Sequence, residues 1–384
     1  MTQASPSSEG ETRQSRATPA LRTILVLGFL YLFLVGVSML EAGIKAFGAD
    51  FQADLLNGVD HPIAGLAAGV LATVLVQSSS VSTATIVGLV GAGTLTVDAA
   101  VPMIMGANIG TTVTNTLVAL GSARRSEEFR RAFAGATMHD FFNLMAVAVF
   151  LPLQVATGFL SRAAEEVAEL LGGNVGGSTA KSPIKTAVKE PVGWIKDGID
   201  SLTSSDEILG GLLLGLGILV ILLALAVITR NMRRLIASRI ETGLNALVAR
   251  GGGLVGMFFG VLITIAVQSS SITTSILVPL MGSGVLAVRN AYPITLGANL
   301  GTTITALLAS LAVDLQAGLV VALTHTLFNV AAIVTIYPVR RVRYVPVQLA
   351  ERLAGLAVDN RVYVIVYVAG LFVVAPLLGI VIFG

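Results

Sequence analysis

Residues 65–114 read GLAAGVLATVLVQSSSVSTATIVGLVGAGTLTVDAAVPMIMGANIGTTVT, and residues 256–305 read GMFFGVLITIAVQSSSITTSILVPLMGSGVLAVRNAYPITLGANLGTTIT. The stretches align without a gap, Gln77 on Gln268 and Asn108 on Asn299, and about half their positions are identical. QSSS and GAN-x-GTT are kept letter for letter while the apolar residues around them drift. Polar residues repeated inside apolar sequence are the pattern of a duplicated membrane segment that lines a solute path.

Composition sets the class. Of 384 residues, 54% are hydrophobic and 12% charged, with a mean hydropathy of +0.86. Soluble proteins carry about 25% charged residues, so this is an integral membrane protein. Its apolar runs are too long for the alternating strands of a barrel, which makes it all-α. With no cysteine, disulfide and thiolate chemistry are excluded. No HExxH sequence or nucleophile–base pair suggests an enzyme, and nothing points to nucleic acid. The polar residues 1–19 read as a disordered cytoplasmic tail, followed by a retained apolar helix rather than a signal peptide.

The apolar segments are 20–48, 62–76, 81–97, 99–121, 132–153, 208–229, 254–267, 272–288, 291–313, 317–338 and 362–383. Seven can span a bilayer, which takes about 20 residues. The other four, 62–76, 81–97, 254–267 and 272–288, are short and flank the two QSSS sequences. Paired short segments at matching places in two halves predict discontinuous helices. Each pair is read as a re-entrant hairpin with QSSS at its tip, the alternative being two tilted spans.

Positive charge orients the chain. Arg13, Arg16 and Arg22, then Arg124, Arg125, Arg130 and Arg131, then Arg230, Arg233, Arg234 and Arg239, then Arg340, Arg341 and Arg343 mark cytoplasmic regions. Asp50, Asp54, Asp60, Asp98 and Asp314 mark the outer side. Followed from a cytoplasmic N-terminus, the first hairpin enters from outside and returns near Asp98. The second enters from inside and returns near Arg289, and the C-terminus ends outside. The expected fold is therefore two inverted-topology repeats, each with a QSSS hairpin and a broken GAN-x-GTT helix, in about seven full spans plus two hairpins. The repeats are 20–153 and 208–339. Residues 154–207 form an extracytoplasmic linker, read as a solvated connector with amphipathic stretches and one interfacial tryptophan, Trp194. Residues 340–384 hold a cytoplasmic amphipathic segment and the final helix.

The chemistry of the repeated residues follows. A Gln-Ser-Ser-Ser tip offers an amide, hydroxyls and the free N–H groups of a helix start, which suit an anion. Two such tips, Gln77, Ser78 and Ser79 facing Gln268, Ser269 and Ser270, would surround a small tetrahedral oxyanion with neutral donors that also release it. Asn108 and Asn299, with amides that can also ligate a cation, are placed with them. Side-chain oxygens of Ser80, Thr111, Thr112, Thr302 and Thr303 suit a hard cation such as Na+. A single SSS run commonly packs helices; two at matching, oppositely entering segments point to function. Downstream, MHDFFN at 138–143 echoes THTLFN at 324–329 and pairs His139 with His325. Such histidines are more often helix contacts than ligands. Asp140 faces Thr326 in the alignment, so only one half has the acid. It is read as a cation ligand or as the partner of Arg130 or Arg131. Glu41, nearer an outer edge, is expected to snorkel.

These motifs carry a family resemblance. Paired QSSS sequences, GANIGTTVTNT and GANLGTTIT, and FRRAFAGATMHDFFN at 129–143 resemble the type II sodium-dependent phosphate cotransporters. The similarity covers residues 62–153 and 250–380. It implies Na+-coupled symport of inorganic phosphate into the cell by alternating access, through the plasma or inner membrane. It also implies phosphate contacts at Gln77, Ser78, Ser79, Gln268, Ser269 and Ser270, and sodium ligation by Gln268, Ser269, Thr302 and Thr305. Asp140 and Asn143 match the extra sodium site of electrogenic members. The departures are Ala298 where the family often has Ser, Ser122 where a Gln contributes to that extra site, and a shorter outer loop without cysteines. A carrier of another anion, such as a dicarboxylate or sulfate, and an anion channel are the rival functions. Monomer and dimer both stay open.

Overall fold

The computed structural model describes residues 19–172, 183–203, 205–250, 253–313 and 316–384. Arg13, Arg16, Asp314, the tail as far as residue 18 and the glycine-rich centre of the linker lie outside the described residues. Nearly all of the described chain is helical. In chain order the helices are α1 (Pro19–Ala46), α2 (Gly48–Asn57), α3 (Pro62–Val76), α4 (Ser79–Gly91), α5 (Val97–Gly110) and α6 (Val113–Leu120). They continue with α7 (Ser126–Thr157), α8 (Phe159–Gly172), α9 (Pro183–Asp200), α10 (Asp206–Arg250), α11 (Gly253–Val267) and α12 (Ser270–Gly282). Then come α13 (Val288–Ser310), α14 (Gln316–Ile336) and α15 (Val345–Asp359). The final apolar helix is α16 (Val362–Ala369), a π-helical stretch Gly370–Val374, and α17 (Ala375–Phe383).

Six of these stretches are long and apolar enough to cross a membrane: 19–46, 97–120, 126–157, 206–235, 316–336 and 362–383. The seventh expected span is α13. Its 23 residues reach about 34 Å, yet its polar motif residues make it less apolar than those six. Most of α13 is buried inside the protein rather than facing lipid. The four short helices α3, α4, α11 and α12 have 15, 13, 15 and 13 residues. At 1.5 Å per residue none reaches across a hydrocarbon core about 30 Å thick.

Lipid tails are as apolar as leucine, so close packing of small residues must hold such a bundle together. The repeat shows this twice over. A β-carbon added to Gly69 would lie 1.9 Å from the Met103 carbonyl oxygen, and one on Gly260 would lie 2.0 Å from that of Ile294. Likewise Gly106 meets the Leu66 carbonyl at 2.0 Å and Gly297 that of Met257 at 1.9 Å. Glycine therefore seats α3 on α5 and α11 on α13 backbone to backbone, in the same register. The pairing across the halves is reciprocal. Helix α4 of the first hairpin packs on α13 and α14, and α12 of the second packs on α6 and α7.

Two apolar clusters flank the central helices. One gathers residues of α7, α12, α14, α15 and the final helix, the other residues of α1, α4, α9 and α10. Helices α5 and α13 feed both: Met105 and Ile294 join the first, Ile104 and Ala306 the second. The GAN motifs thus sit at the junction.

Contacts at the two ends of α7 fix where the hairpins begin and end. Near its C-terminal end, Gln154 Nε2 donates to Asp98 Oδ1 at 3.3 Å, and the Ser161 hydroxyl donates to the same oxygen at 3.1 Å. Near its N-terminal end, Arg131 Nε donates to the Gly282 carbonyl at 2.9 Å, while Arg361 Nη2 donates to the Ala123 carbonyl at 2.9 Å. The other end of the final helix stacks Phe383 on His61, ring centroids 4.6 Å apart. The first hairpin thus opens at one end of α7 and the second at the other.

Three expectations are revised. The GAN-x-GTT helix is interrupted only in the first copy, at Thr111–Thr112 between α5 and α6, whereas α13 runs unbroken through the second. The freed Thr111 carbonyl accepts from the Ser271 hydroxyl of the other half at 3.3 Å. The described linker is not a bare connector. Helix α8 packs on α14 and α9 on α1 and α10, and Tyr31 donates to the Ala187 carbonyl at 2.8 Å. Trp194 on α9 is 68% exposed. Glu41 does not snorkel; it is 3% exposed and pairs with Lys45 at 2.6 Å, which spares it an uncompensated buried charge.

Candidate functional site

Each QSSS tip is built the same way. Helix α3 ends in Gln77 at φ 57°, and α11 hands over to Gln268 at φ 56°. These are the only non-glycine residues with positive φ among the described residues. The left-handed conformation costs energy at any residue with a β-carbon and commonly marks function. It reverses the chain in one residue, so that Ser78 and Ser269 become N-caps of α4 and α12. Their hydroxyls accept from Val81 N and Ile272 N, each at 3.3 Å.

The glutamine side chains are pinned by matching bonds. Gln77 Nε2 donates to the Val74 carbonyl at 2.5 Å, and its Oε1 accepts from the Thr114 hydroxyl at 3.1 Å. Gln268 Nε2 donates to the Ile265 carbonyl at 2.6 Å, and its Oε1 accepts from Thr305 at 2.9 Å. Thr114 was not among the residues expected from sequence. Its signal was available, because it aligns with Thr305 in the repeat.

The two tips meet. The Ser80 hydroxyl donates to the Gln268 carbonyl at 3.2 Å, which brings together Ser80, Gln268, Ser269 and Thr305 from the expected sodium set. Asn115, also unforeseen, accepts from the Thr274 and Ser275 hydroxyls of the other half, both at 3.0 Å. Surroundings differ between the tips: Gln77 is exposed while Gln268 and Ser269 are half-buried, and Ser79 and Ser270 are both buried.

Asn108 and Asn299 are not at the tips' open surface. Both are buried in a network that joins the halves. Asn143 Nδ2 donates to the Asn108 carbonyl at 2.8 Å, and Asn299 Nδ2 donates to Asn143 Oδ1 at 2.9 Å. Asn108 Oδ1 lies 3.1 Å from His325 Nε2, and Asn108 Nδ2 donates to Asn329 Oδ1 at 3.4 Å. His139 lies beside Asn299. His325 is thus a helix contact across the halves, whereas both ring nitrogens of His139 are buried without a hydrogen-bond partner.

Thr111, Thr112, Thr302 and Thr303 spend their hydroxyls on carbonyls of their own helices, those of Ala107, Ile109, Ala298 and Leu300. Oxygen lone pairs remain on each for a cation. Asp140 is fully buried and forms no ion pair among the described residues. Arg130 sits 3.7 Å from Glu127 instead, and Arg131 is held by the Gly282 carbonyl. One oxygen of Asp140, Oδ2, accepts from the Tyr367 hydroxyl, while Oδ1 has no partner. Asn143 stands one helical turn further along α7.

Comparison with known proteins bears on this arrangement. The family model described as Na+/Pi-cotransporter matches residues 32–173 and 207–357. Sodium-dependent phosphate transport protein 2A of Rattus norvegicus is 34% identical over 430 residues, covering 94% of this chain and 67% of that protein. The 2A protein of Ovis aries is 34% identical over 429 residues, covering 93% and 67%. Sodium-dependent phosphate transport protein 2B of Homo sapiens is 33% identical over 447 residues, covering 93% and 64%. The chain therefore spans about two thirds of the length of these relatives. No solved structure matches.

Proposed function

The chain belongs to the Na+/Pi-cotransporter family, and we propose that its two QSSS tips are the half-sites of one phosphate site in an inverted-repeat carrier. It is a membrane transporter, not an enzyme, and it moves inorganic phosphate in symport with Na+ as coupling ion. The observation that carries the site reading is the twinned tip: a left-handed glutamine, a serine N-cap and a threonine on the glutamine amide, repeated and joined by Ser80 to Gln268.

The tips offer phosphate the first-turn N–H groups of Ser79, Ser80, Ser270 and Ser271, which neither intrahelical acceptors nor the serine caps take, together with the hydroxyls of Ser78, Ser79, Ser269 and Ser270. Gln77 and Gln268 add amides already locked in orientation, so little rotamer entropy is lost on binding. Asn108 and Asn299 support the site by joining the halves behind it. Sodium is held by oxygens around the second tip, Ser80, Gln268, Ser269, Thr302, Thr303 and Thr305, with Thr111 and Thr112 at the break between α5 and α6. Asp140 and Asn143 hold a further ion. Divalent phosphate with two Na+ is neutral, so a further Na+ makes each cycle carry one positive charge inward.

The oppositely placed hairpin bases, one by Asp98 and one by Arg131, support the inverted arrangement. In this reading residues 20–153 and 208–339 are the repeats and 154–207 the outer linker. The chain lies in the cell membrane with its N-terminus inside and C-terminus outside, and the tips face alternate sides as the repeats rock. Phosphate uptake into proteoliposomes tests the function. It should require an inward Na+ gradient and resist competition by sulfate or dicarboxylates. Flux down a phosphate gradient without Na+ would instead make the protein a channel.

A further inference from the structure

The final helix lies beyond residue 357, where the family match ends. It packs against α3 and carries few buried side chains. One of its residues nevertheless reaches the buried acid of the first half: the Tyr367 hydroxyl donates to Asp140 Oδ2. The phenol ring is held from three sides. Its centroid lies 6.3 Å from that of Phe133, 6.2 Å from Phe141 and 6.1 Å from Phe372.

The backbone is adapted to this. Residues five apart on a regular α-helix point about 140° away from each other. The π-helical stretch Gly370–Val374 widens the turn between Tyr367 and Phe372 and lets both rings face inward. Single π turns inside α-helices recur at functional sites.

The acid is left in a particular state of demand. Asp140 is fully buried, Oδ1 has no partner, and the nearby arginines are engaged elsewhere. An ionised carboxylate so placed requires a counter-charge. A donor fixed on one oxygen orients the other toward that charge, as outer partners orient the ligands of metal sites.

We propose that Tyr367 positions Asp140 for the further sodium ion, so that the final helix is a working part of that cation site. The inference rests on the reading of Asp140 as a sodium ligand. Tyr367→Phe keeps the ring in its aromatic seat and removes only the hydroxyl. In proteoliposomes it should raise the Na+ concentration for half-maximal phosphate uptake roughly tenfold or more. The phosphate concentration for half-maximal uptake at saturating Na+ should stay at the wild-type value. In an Asp140→Gly background the same substitution should cause no further shift. Asp140→Glu, which moves the carboxylate off the hydroxyl, should reproduce the selective change. A wild-type Na+ titration in Tyr367→Phe or Asp140→Glu overturns the proposal. So does an equal loss of apparent phosphate affinity, or a shift that persists without Asp140. If Asp140→Gly alone keeps the wild-type Na+ slope and voltage response, the sodium reading of Asp140 falls, and the role of Tyr367 falls with it.

Discussion

The two QSSS tips share a backbone to within about three degrees of φ at the glutamine and the serine cap and differ in what surrounds them. Gln77 is exposed, and its helical neighbour breaks at Thr111–Thr112. Gln268 is half-buried beside an unbroken α13, and its carbonyl is taken by Ser80. At the position of the buried Asp140 the second half has Thr326. The repeat thus preserves the groups proposed to hold the anion, while their exposure, the neighbouring helix and the local charge differ.

The largest expected contrast is all-or-none. Single cysteines at Asp98 and Arg289, which occupy matching repeat positions in this cysteine-free chain, should react with an impermeant thiol reagent from opposite sides of the membrane. Reaction of both from one side would break the inverted arrangement. Next in size are Gln77→Ala and Gln268→Ala. If the glutamines donate to phosphate as proposed, each substitution removes a bond to a charged acceptor worth about 1.5–3 kcal/mol and should cut uptake at limiting phosphate by roughly tenfold to hundredfold. Normal uptake in one variant, with correct insertion, takes that glutamine out of the site and makes the halves unequal in binding as well as in access.

Asp140→Gly should change the response more than the rate. Na+-dependent uptake should persist, while its voltage dependence, about 2.3 kcal/mol per charge per 100 mV, disappears and the Na+ Hill slope falls. Current recorded with phosphate uptake decides it; an unchanged voltage response returns the two halves to equivalence in charge coupling. The smallest contrast concerns packing. The Thr264 hydroxyl donates to Thr273 at 2.9 Å, whereas the equivalent Thr73 hydroxyl is buried without a partner. Thr264→Val should cost about 1 kcal/mol and Thr73→Val nothing, as read from thermal unfolding in detergent. Equal costs would mean that the first half satisfies Thr73 in another state.

Much of this was legible in the sequence because polar residues are costly in lipid and therefore conspicuous. QSSS, GAN-x-GTT and Asp140 stood out against apolar surroundings, and the short helices around the tips announced themselves by length alone. What escaped were features whose signal is spatial. Tyr367 sits in an apolar run where an aromatic is unremarked, and only the π turn brings it to Asp140. The continuity of α13 was hidden because the repeat has the same motif in both halves; the break in the first copy coincides with a bond from Ser271 to the Thr111 carbonyl. The helices of the linker were read as solvated because amphipathic sequence does not say which surface its apolar face will meet. Glu41 was misplaced because its partner, one turn away at Lys45, outweighed its distance from the membrane edge.

The reciprocal seating of α4 on the second half and α12 on the first has a consequence for biogenesis. When the first hairpin leaves the ribosome, two of the helices that cover it, α13 and α14, have not yet been made. Its polar tip must wait at the translocon or at the bilayer surface until α13 and α14 arrive. Neither half is then a self-sufficient folding unit. Synthesised alone, each should be cleared by membrane proteases, and the two co-expressed from separate messages should recover one another.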